Sequence, residues 1–369
     1  MPLGTLWNRR ALSELLVCIY VHPVPVMKAL VLAAYKQLEL IDAPMPSPAD
    51  DELLIRIAAC GICGSDVHGF DGSTGRRIPP IIMGHEAAGI VEGVGAAVSG
   101  FRIGDRVTFD STVFCGKCFF CSRGQVNLCD QREVIGVSTA TFRRIGAFAE
   151  YVTVPARLGY HLPDAIPFTH AALIEAGAVA IHAVFLTQIA PAETVVIVGA
   201  GMIGLLTLQA ARQAGAATIF VIDIDDTRLE LARELGANHT LNSRDPNCLS
   251  DLLLSTKGRG ADAVLECVGT SVTVKFAVDA CRKGGSVTLV GNVAPTIELG
   301  LQSVVTRQIR LQGSCASSGE YPLCISLMER GVIRVGPLVS AVAPLADGAM
   351  WFRRLYEREP GLLKVVLQP

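Results

Sequence analysis

The chain has 369 residues, too many for one ordinary hydrophobic core, so it reads as two domains of roughly 150 to 200 residues each. A formal net charge of −2 supplies no field that would gather nucleic acid, and no long run of like charge stands in for one. Half of the residues are hydrophobic and 36 are glycine, which suits buried parallel strands joined by tight turns and excludes a disordered chain.

Residues 1–26 read as an N-terminal extension. Arg9 and Arg10 precede an apolar stretch in the manner of a signal peptide, but Glu14 interrupts it and no small-residue cleavage site is evident. A targeting segment is therefore the alternative and not the first expectation. At Met27-Lys28-Ala29-Leu30-Val31 a strand opens a domain. From Lys28 to about Tyr151, short apolar runs such as Glu52 to Ile57 and Ala88 to Gly95 are broken by Gly, Pro and Asp, the rhythm of a mostly β domain.

Two groups of metal-binding residue types lie in or near this region. Cys63, in Cys60-Gly61-Ile62-Cys63-Gly64-Ser65-Asp66-Val67-His68, is followed by His85-Glu86 and, beyond the β region, by Glu175. One thiolate, one imidazole and one or two carboxylates leave zinc an open position, as a catalytic site requires. Taken singly, Cys63 reads as a small hydrophobe, His85 as a turn residue, Glu175 as helix surface and Cys60 as strand packing. The second group, Cys115-x2-Cys118-x2-Cys121-x7-Cys129, offers four thiolates in one polar loop. Four soft ligands with no open position predict a structural zinc, with an iron–sulfur cluster as the alternative. Thiolate ligands imply a reducing compartment, and the expected location is the cytoplasm.

After Phe168 the rhythm changes. Helical stretches at His170 to Ile189, Ile203 to Ala214 and Arg228 to Leu235 alternate with strand-like runs at Thr194 to Val198, Thr218 to Asp223, Ala263 to Cys267 and Ser286 to Val290. Such alternation predicts an α/β fold with a doubly wound parallel sheet. Val195 to Ala211 is apolar, but Glu193 and Arg212 bound a run shorter than the ~20 residues that a bilayer needs. No membrane partner is expected. The strand Val195 to Val198 runs instead into Gly199-Ala200-Gly201-Met202-Ile203-Gly204 and a helix. The glycines permit a tight turn, backbone approach to a pyrophosphate and close helix packing, while N–H groups at Met202 and Ile203 face the phosphates. Asp223, at the end of the next strand, can accept hydrogen bonds from the adenosine-ribose hydroxyls and would repel a 2′-phosphate, so NAD is expected over NADP. Arg228 reads either as a contact to the same ribose or as a solvated helix charge. From about Gly313 the chain returns to mixed structure and is expected to rejoin the first domain.

These motifs, with Gly84-His85-Glu86-Ala87-Ala88-Gly89 and Gly104-Asp105-Arg106-Val107, resemble the zinc-containing medium-chain alcohol dehydrogenases from Met27 to the C-terminus. The likeness is to their polyol (sorbitol or iditol), butanediol and threonine dehydrogenase branch. The resemblance implies a GroES-like catalytic domain over 27–178 and 314–369 and a Rossmann NAD-binding domain over 179–313. It also implies two zinc ions per chain and a homodimer or homotetramer. Cys63 and His85 would hold the catalytic zinc, with Glu86 binding directly or swinging on and off. Glu175 would complete the set where many alcohol dehydrogenases use a second Cys. Asp66 would orient His85, Ser65 would hydrogen-bond the substrate oxygen, and His68 would pass its proton onward as hydride leaves a secondary alcohol for NAD⁺, giving a ketone. Two positions depart from familiar sorbitol dehydrogenases. Gly69 stands where they carry Tyr, and Cys315-Ala316-Ser317 aligns with their aromatic-Arg-Tyr stretch. A secondary alcohol or polyol is therefore expected, without commitment to sorbitol. The alternatives are a dehydrogenase of threonine or a small diol, and a zinc- and NAD-binding protein without catalysis. A zinc-free reductase of the same fold would lack both metal-ligand groups.

Overall fold

The computed structural model describes residues 25–369, and residues 1–24, most of the expected extension, lie outside the described residues. Ten strands form the first part of the chain: β1 Val26–Ala34, β2 Gln37–Pro44, β3 Glu52–Gly61, β4 Ile81–Ile82, β5 Glu86–Val94, β6 Arg106–Phe109, β7 Thr112–Val113, β8 Glu133–Val134, β9 Tyr151–Pro155 and β10 Gly159–His161. One short helix, α1 Gly64–Gly69, leaves the end of β3. Strand β3 is the hub of a sheet ordered β10-β6-β5-β3 and is flanked also by β9. Seven of its ten residues are buried, the pattern of a strand covered on both faces.

Then come α2 Phe168–Ala171, α3 Ile174–Thr187, β11 Thr194–Val198, α4 Met202–Gln213, β12 Thr218–Asp223, α5 Asp226–Glu234 and β13 His239–Asn242. They are followed by α6 Cys248–Ser255, β14 Ala261–Glu266, α7 Ser271–Ala280, β15 Cys281–Leu289, α8 Leu301–Val305 and β16 Arg310–Gly313. The strands pair in the order β13-β12-β11-β14-β15-β16, every neighbour parallel. Chain order therefore reverses beside β11, between β12 and β14, and in open parallel sheets ligands bind outside the carboxyl ends of the strands at such a point. After α9 Tyr321–Glu329, strand β17 Val339–Pro344, α10 Gly348–Tyr356 and strand β18 Lys364–Gln368 return the chain to the first sheet, where β18 pairs antiparallel with the end of β3.

The helix expected from His170 to Ile189 is two helices, α2 and α3, separated at Ala172 and Leu173. The break puts Glu175 in the first turn of α3. Ten of the fourteen residues of α3 are buried, many of them Ala, so it packs against α4 and α9 and joins the apolar interior around β11 to that around Leu162 and Ile166. No described helix is long and apolar enough to cross a membrane.

Candidate active site

Strand register builds the first group of site residues. Gly61 of β3 faces Glu86 of β5, and Val366 of β18 faces Gly61 from the other side. Residues just past Gly61, just before Glu86 and just before Val366 are therefore neighbours. The thiol of Cys63, the imidazole of His85 and a carboxylate oxygen of Glu86 each offer a ligand atom, all within 4.8 Å of one another. Cys63 also caps α1, its sulfur accepting the Ser65 N–H at 3.4 Å. Glu175 lies outside this 4.8 Å set, although its charge is felt by the same groups.

Behind the ligands stand three buried charged residues. Asp66, fully buried, faces His85 Nδ1 with Oδ2 at 3.4 Å. That leaves Nε2, which lies 3.4 Å from Ser65 Oγ, turned toward the thiol side. Arg77 donates from Nε and Nη2 to Asp66 Oδ1 at 3.1 and 2.9 Å. Lys364, in β18, donates to Glu86 Oε2 at 2.6 Å and to the Ile62 carbonyl at 3.0 Å. Neither Arg77 nor Lys364 was singled out in the sequence. For Lys364 the available signal is a lone cation inside the apolar run Leu362 to Leu367, since a buried charge must be paired, whereas Arg77 follows Arg76 in a turn-rich stretch that does not mark it.

The electrostatics ask for a cation. Burial pushes the Glu175 carboxyl up to about 7 against the opposing pull of His85, and the Glu86 and Asp110 carboxylates push the same way. Burial would depress His85, yet Asp66 and Cys63 hold it well above the usual imidazole range. Burial would raise Asp66, and the charges of His85 and Arg77 overcome that and lower it to about 2. Clustered negative groups that compete for protons in this way, with sulfur, nitrogen and oxygen donors converging, fit a divalent ion of zinc's softness.

The four cysteines of the loop also converge, with Cys115, Cys118, Cys121 and Cys129 each offering a sulfur within 4.8 Å of the others. N–H groups of Cys115 and Gln131 point at the Cys129 sulfur, both at 3.3 Å. Backbone N–H groups of Cys121 and Asp130 pull the Cys118 thiol down to about 6. The set fits a closed tetrahedral zinc. The loop is pinned from outside: Asn127 donates to the Cys315 carbonyl at 2.7 Å and lies 3.3 Å from His182 Nε2, while His182 Nδ1 meets Glu320 at 2.7 Å.

At β11 the glycines divide their work. Gly199 has φ +102°, a conformation that side chains resist, and a Cβ at Gly204 would stand 1.8 Å from the Gly199 carbonyl oxygen. At Gly201 a Cβ would meet nothing, so the gap beside the head of α4 is open where the first helical N–H groups at Met202 and Ile203 lack intrahelical acceptors. That cradle fits a pyrophosphate. Asp223 Oδ2 accepts the Ala200 N–H at 2.6 Å, which fixes the acid beside the glycine loop. Arg228 lies near Asp225 at 3.8 Å on α5. His68 is exposed on α1, one turn beyond Ser65. Ser317 is buried and Cys315 exposed near Arg132.

Comparison with known proteins agrees with this fold. The family model of the alcohol dehydrogenase GroES-like domain matches residues 49–164, and that of the zinc-binding dehydrogenase matches residues 203–330. The sorbitol dehydrogenase of Bacillus subtilis is 33% identical over 353 residues, 94% of this chain and 99% of its own length. The structure of galactitol-1-phosphate dehydrogenase from Escherichia coli superposes with a TM-score of 0.86 at 29% identity, covering 93% of this chain and 100% of that one. A chain from Sinorhizobium meliloti 1021 described as a zinc-binding dehydrogenase bound to NADP gives a TM-score of 0.86 at 32% identity, covering 94% and 100%.

Proposed function

The chain belongs to the zinc-dependent medium-chain alcohol dehydrogenases, in their polyol branch, and from that premise we propose that it oxidises a secondary alcohol of a polyol or sugar-like substrate to a ketone with NAD⁺. The observation that carries this reading is the meeting of Cys63, His85 and Glu86 within 4.8 Å, with Ser65 Oγ 3.3 Å from the sulfur and 3.4 Å from the imidazole. Cys63 and His85 would hold the catalytic zinc, with Glu86 and Glu175 as the carboxylates that would complete its set directly or through water. The four loop cysteines would hold a second, structural zinc. Zinc in the first site supplies positive charge that favours the deprotonated form of a neighbouring hydroxyl, and NAD⁺ supplies the hydride acceptor.

The chain's own groups then orient the substrate and move its proton. Ser65 Oγ accepts a hydrogen bond from the substrate oxygen and hands the proton toward His68, which shares its helix face and reaches solvent. Lys364 holds one Glu86 oxygen, so that carboxylate has a resting partner when it is not on the metal. The head of α4, with Gly199, Gly201, Met202, Ile203 and Gly204, seats the pyrophosphate, and Asp223, with Arg228 nearby, takes the ribose. This reading divides the chain at 27–178 plus 314–369 and at 179–313, with α3 crossing the joint, and places it in the cytoplasm as a homodimer or homotetramer.

A zinc-verified preparation assayed by NADH absorbance against sugar alcohols, aldonates, inositols, diols and threonine tests the function. Reduction with a polyol is expected; bound zinc and NAD⁺ with no reduction across the panel would favour a non-catalytic protein. Asp223→Ala is expected to narrow the preference for NAD⁺ over NADP⁺ by about 1–3 kcal/mol in kcat/KM, the cost of losing a charged hydrogen-bond acceptor. An unchanged ratio would remove Asp223 from the ribose site.

A further inference from the structure

We propose that Arg77 is a positioning residue for this reaction, holding Asp66 and aiming the Ser65 hydroxyl, and that position 69 is glycine so that the Arg77 side chain can pass. This rests on the zinc dehydrogenase reading above. The guanidinium is 4% exposed and spends every arm inside the protein: Nε and Nη2 on Asp66 Oδ1, Nη2 also on Ser65 Oγ at 3.2 Å, and Nη1 on the Arg76 carbonyl at 3.2 Å. Four of its five N–H donors are thus committed inside the protein, and at this exposure the guanidinium offers almost no surface to a substrate.

Two consequences follow from what an arginine can and cannot do. First, Asp66 is fully buried, and its other oxygen faces only His85. Arg77, with two N–H groups on Asp66 Oδ1, holds that carboxylate in place to orient the imidazole. Second, arginine donates and never accepts. A donor on one lone pair of Ser65 Oγ forbids the hydroxyl hydrogen from pointing back at Arg77. It leaves one lone pair and one hydrogen for the open side, where Cys63 and His85 lie. That is the complement a one-way proton transfer needs.

Gly69 supplies the independent observation. It ends α1 without a positive φ, so the backbone does not demand glycine there. A Cβ at 69 would stand 2.3 Å from Arg77 Cγ and 3.1 Å from its Cβ, an overlap relieved only by turning Arg77 to another χ1 rotamer, which carries the guanidinium off its present path to Asp66 and Ser65. An aromatic residue at 69 and Arg77 in this path exclude each other. The glycine that departs at 69 from familiar sorbitol dehydrogenases is therefore what leaves this path open to the Arg77 side chain.

The test uses Arg77→Ala, Gly69→Ala and the double variant, read in two ways. One is kcat and KM for the best alcohol. The other is the rate at which a colorimetric chelator strips zinc from the Cys63 site, separated from the loop zinc by comparison with Cys63→Ser. Arg77→Ala is expected to lower kcat by about 10–100-fold with much less change in KM, and to speed zinc release by a similar factor, the usual effect of losing a group that supports a ligand. Millimolar guanidinium chloride should restore part of both, whereas equal sodium chloride should not. Gly69→Ala should show the same signature more weakly and add little to Arg77→Ala. Failure of guanidinium to move either readout, or equal harm from Gly69→Ala with and without Arg77, overturns the proposal. If Arg77→Ala does not fold, Gly69→Ala and Arg77→Lys decide by the same two readouts. If the wild-type protein oxidises no alcohol, the proposed function fails, while the zinc-release rates still judge Arg77.

Discussion

Lys364→Met is expected to destabilise the fold by about 3–5 kcal/mol, read as a lower midpoint of denaturant unfolding, because it removes one partner of a buried ion pair and leaves the other charged and unmatched. The Lys364 side chain is 3% exposed and that of Glu86 2%, and they meet at 2.6 Å. Burial by itself would lower the Lys364 ammonium, but the Glu86 carboxylate reverses that and holds it above its usual value. For a cation whose pKa is raised by folding, the stabilisation is complete below the unfolded value of 10.5 and is lost only as pH rises through the folded one. The loss should therefore be flat across neutral pH and fade only in strong alkali. Lys364→Met combined with Glu86→Gln should recover part of the stability, since a neutral pair has no orphaned charge. A cost below about 1 kcal/mol would mean that water reaches the pair, as it does for exposed ion pairs.

The pair also shows where sequence reading stops. Cys63, His85, Glu86 and the four loop cysteines are legible because their chemistry is carried by residue type and short spacing. Lys364 lies 278 positions from Glu86, and only the antiparallel register of β18 on β3 brings them together. Arg77 likewise sits in a turn-rich stretch with nothing local to mark it. Among elements, the strands Thr194 to Val198 and Thr218 to Asp223 are correct to the residue because each holds an unbroken apolar run, Val195 to Val198 and Ile219 to Ile222, opened by Thr and closed by Gly199 and by Asp223. The strand β13, His239-Thr240-Leu241-Asn242, has a single apolar residue, as its place at the sheet edge allows, and it escaped the pattern. So did α7, whose Val272, Val274 and Val278 favour strands. Its start is set instead by reciprocal hydrogen bonds between Thr270 and Thr273, a tertiary-independent signal that a search for Ser or Thr followed by Glu does not detect.

Cys63→Ser is expected to cut turnover by more than about a thousandfold, since losing a whole charge at the reacting oxygen must exceed the 10²–10³-fold loss that follows removal of a single hydrogen-bond donor from such a site. Zinc content should fall by one ion per chain, and NAD⁺ affinity, measured by calorimetry, should stay within about threefold because the glycine loop at Gly199 to Gly204 belongs to the other sheet. The substitution separates chemistry from folding. Cys63 serves two purposes, as a sulfur ligand and as the cap that accepts the Ser65 N–H at the start of α1. Serine is among the best caps for that position, so the helix keeps its N-terminal hydrogen bond. It is a poor ligand, because a hydroxyl does not ionise at neutral pH as a thiol does beside a metal. A variant that folds, binds NAD⁺ and has lost its ion would confirm that the sulfur holds the metal. One that keeps both its zinc and its turnover would show that His85 with the Glu86 and Glu175 carboxylates suffices, and Cys63 would be a cap alone.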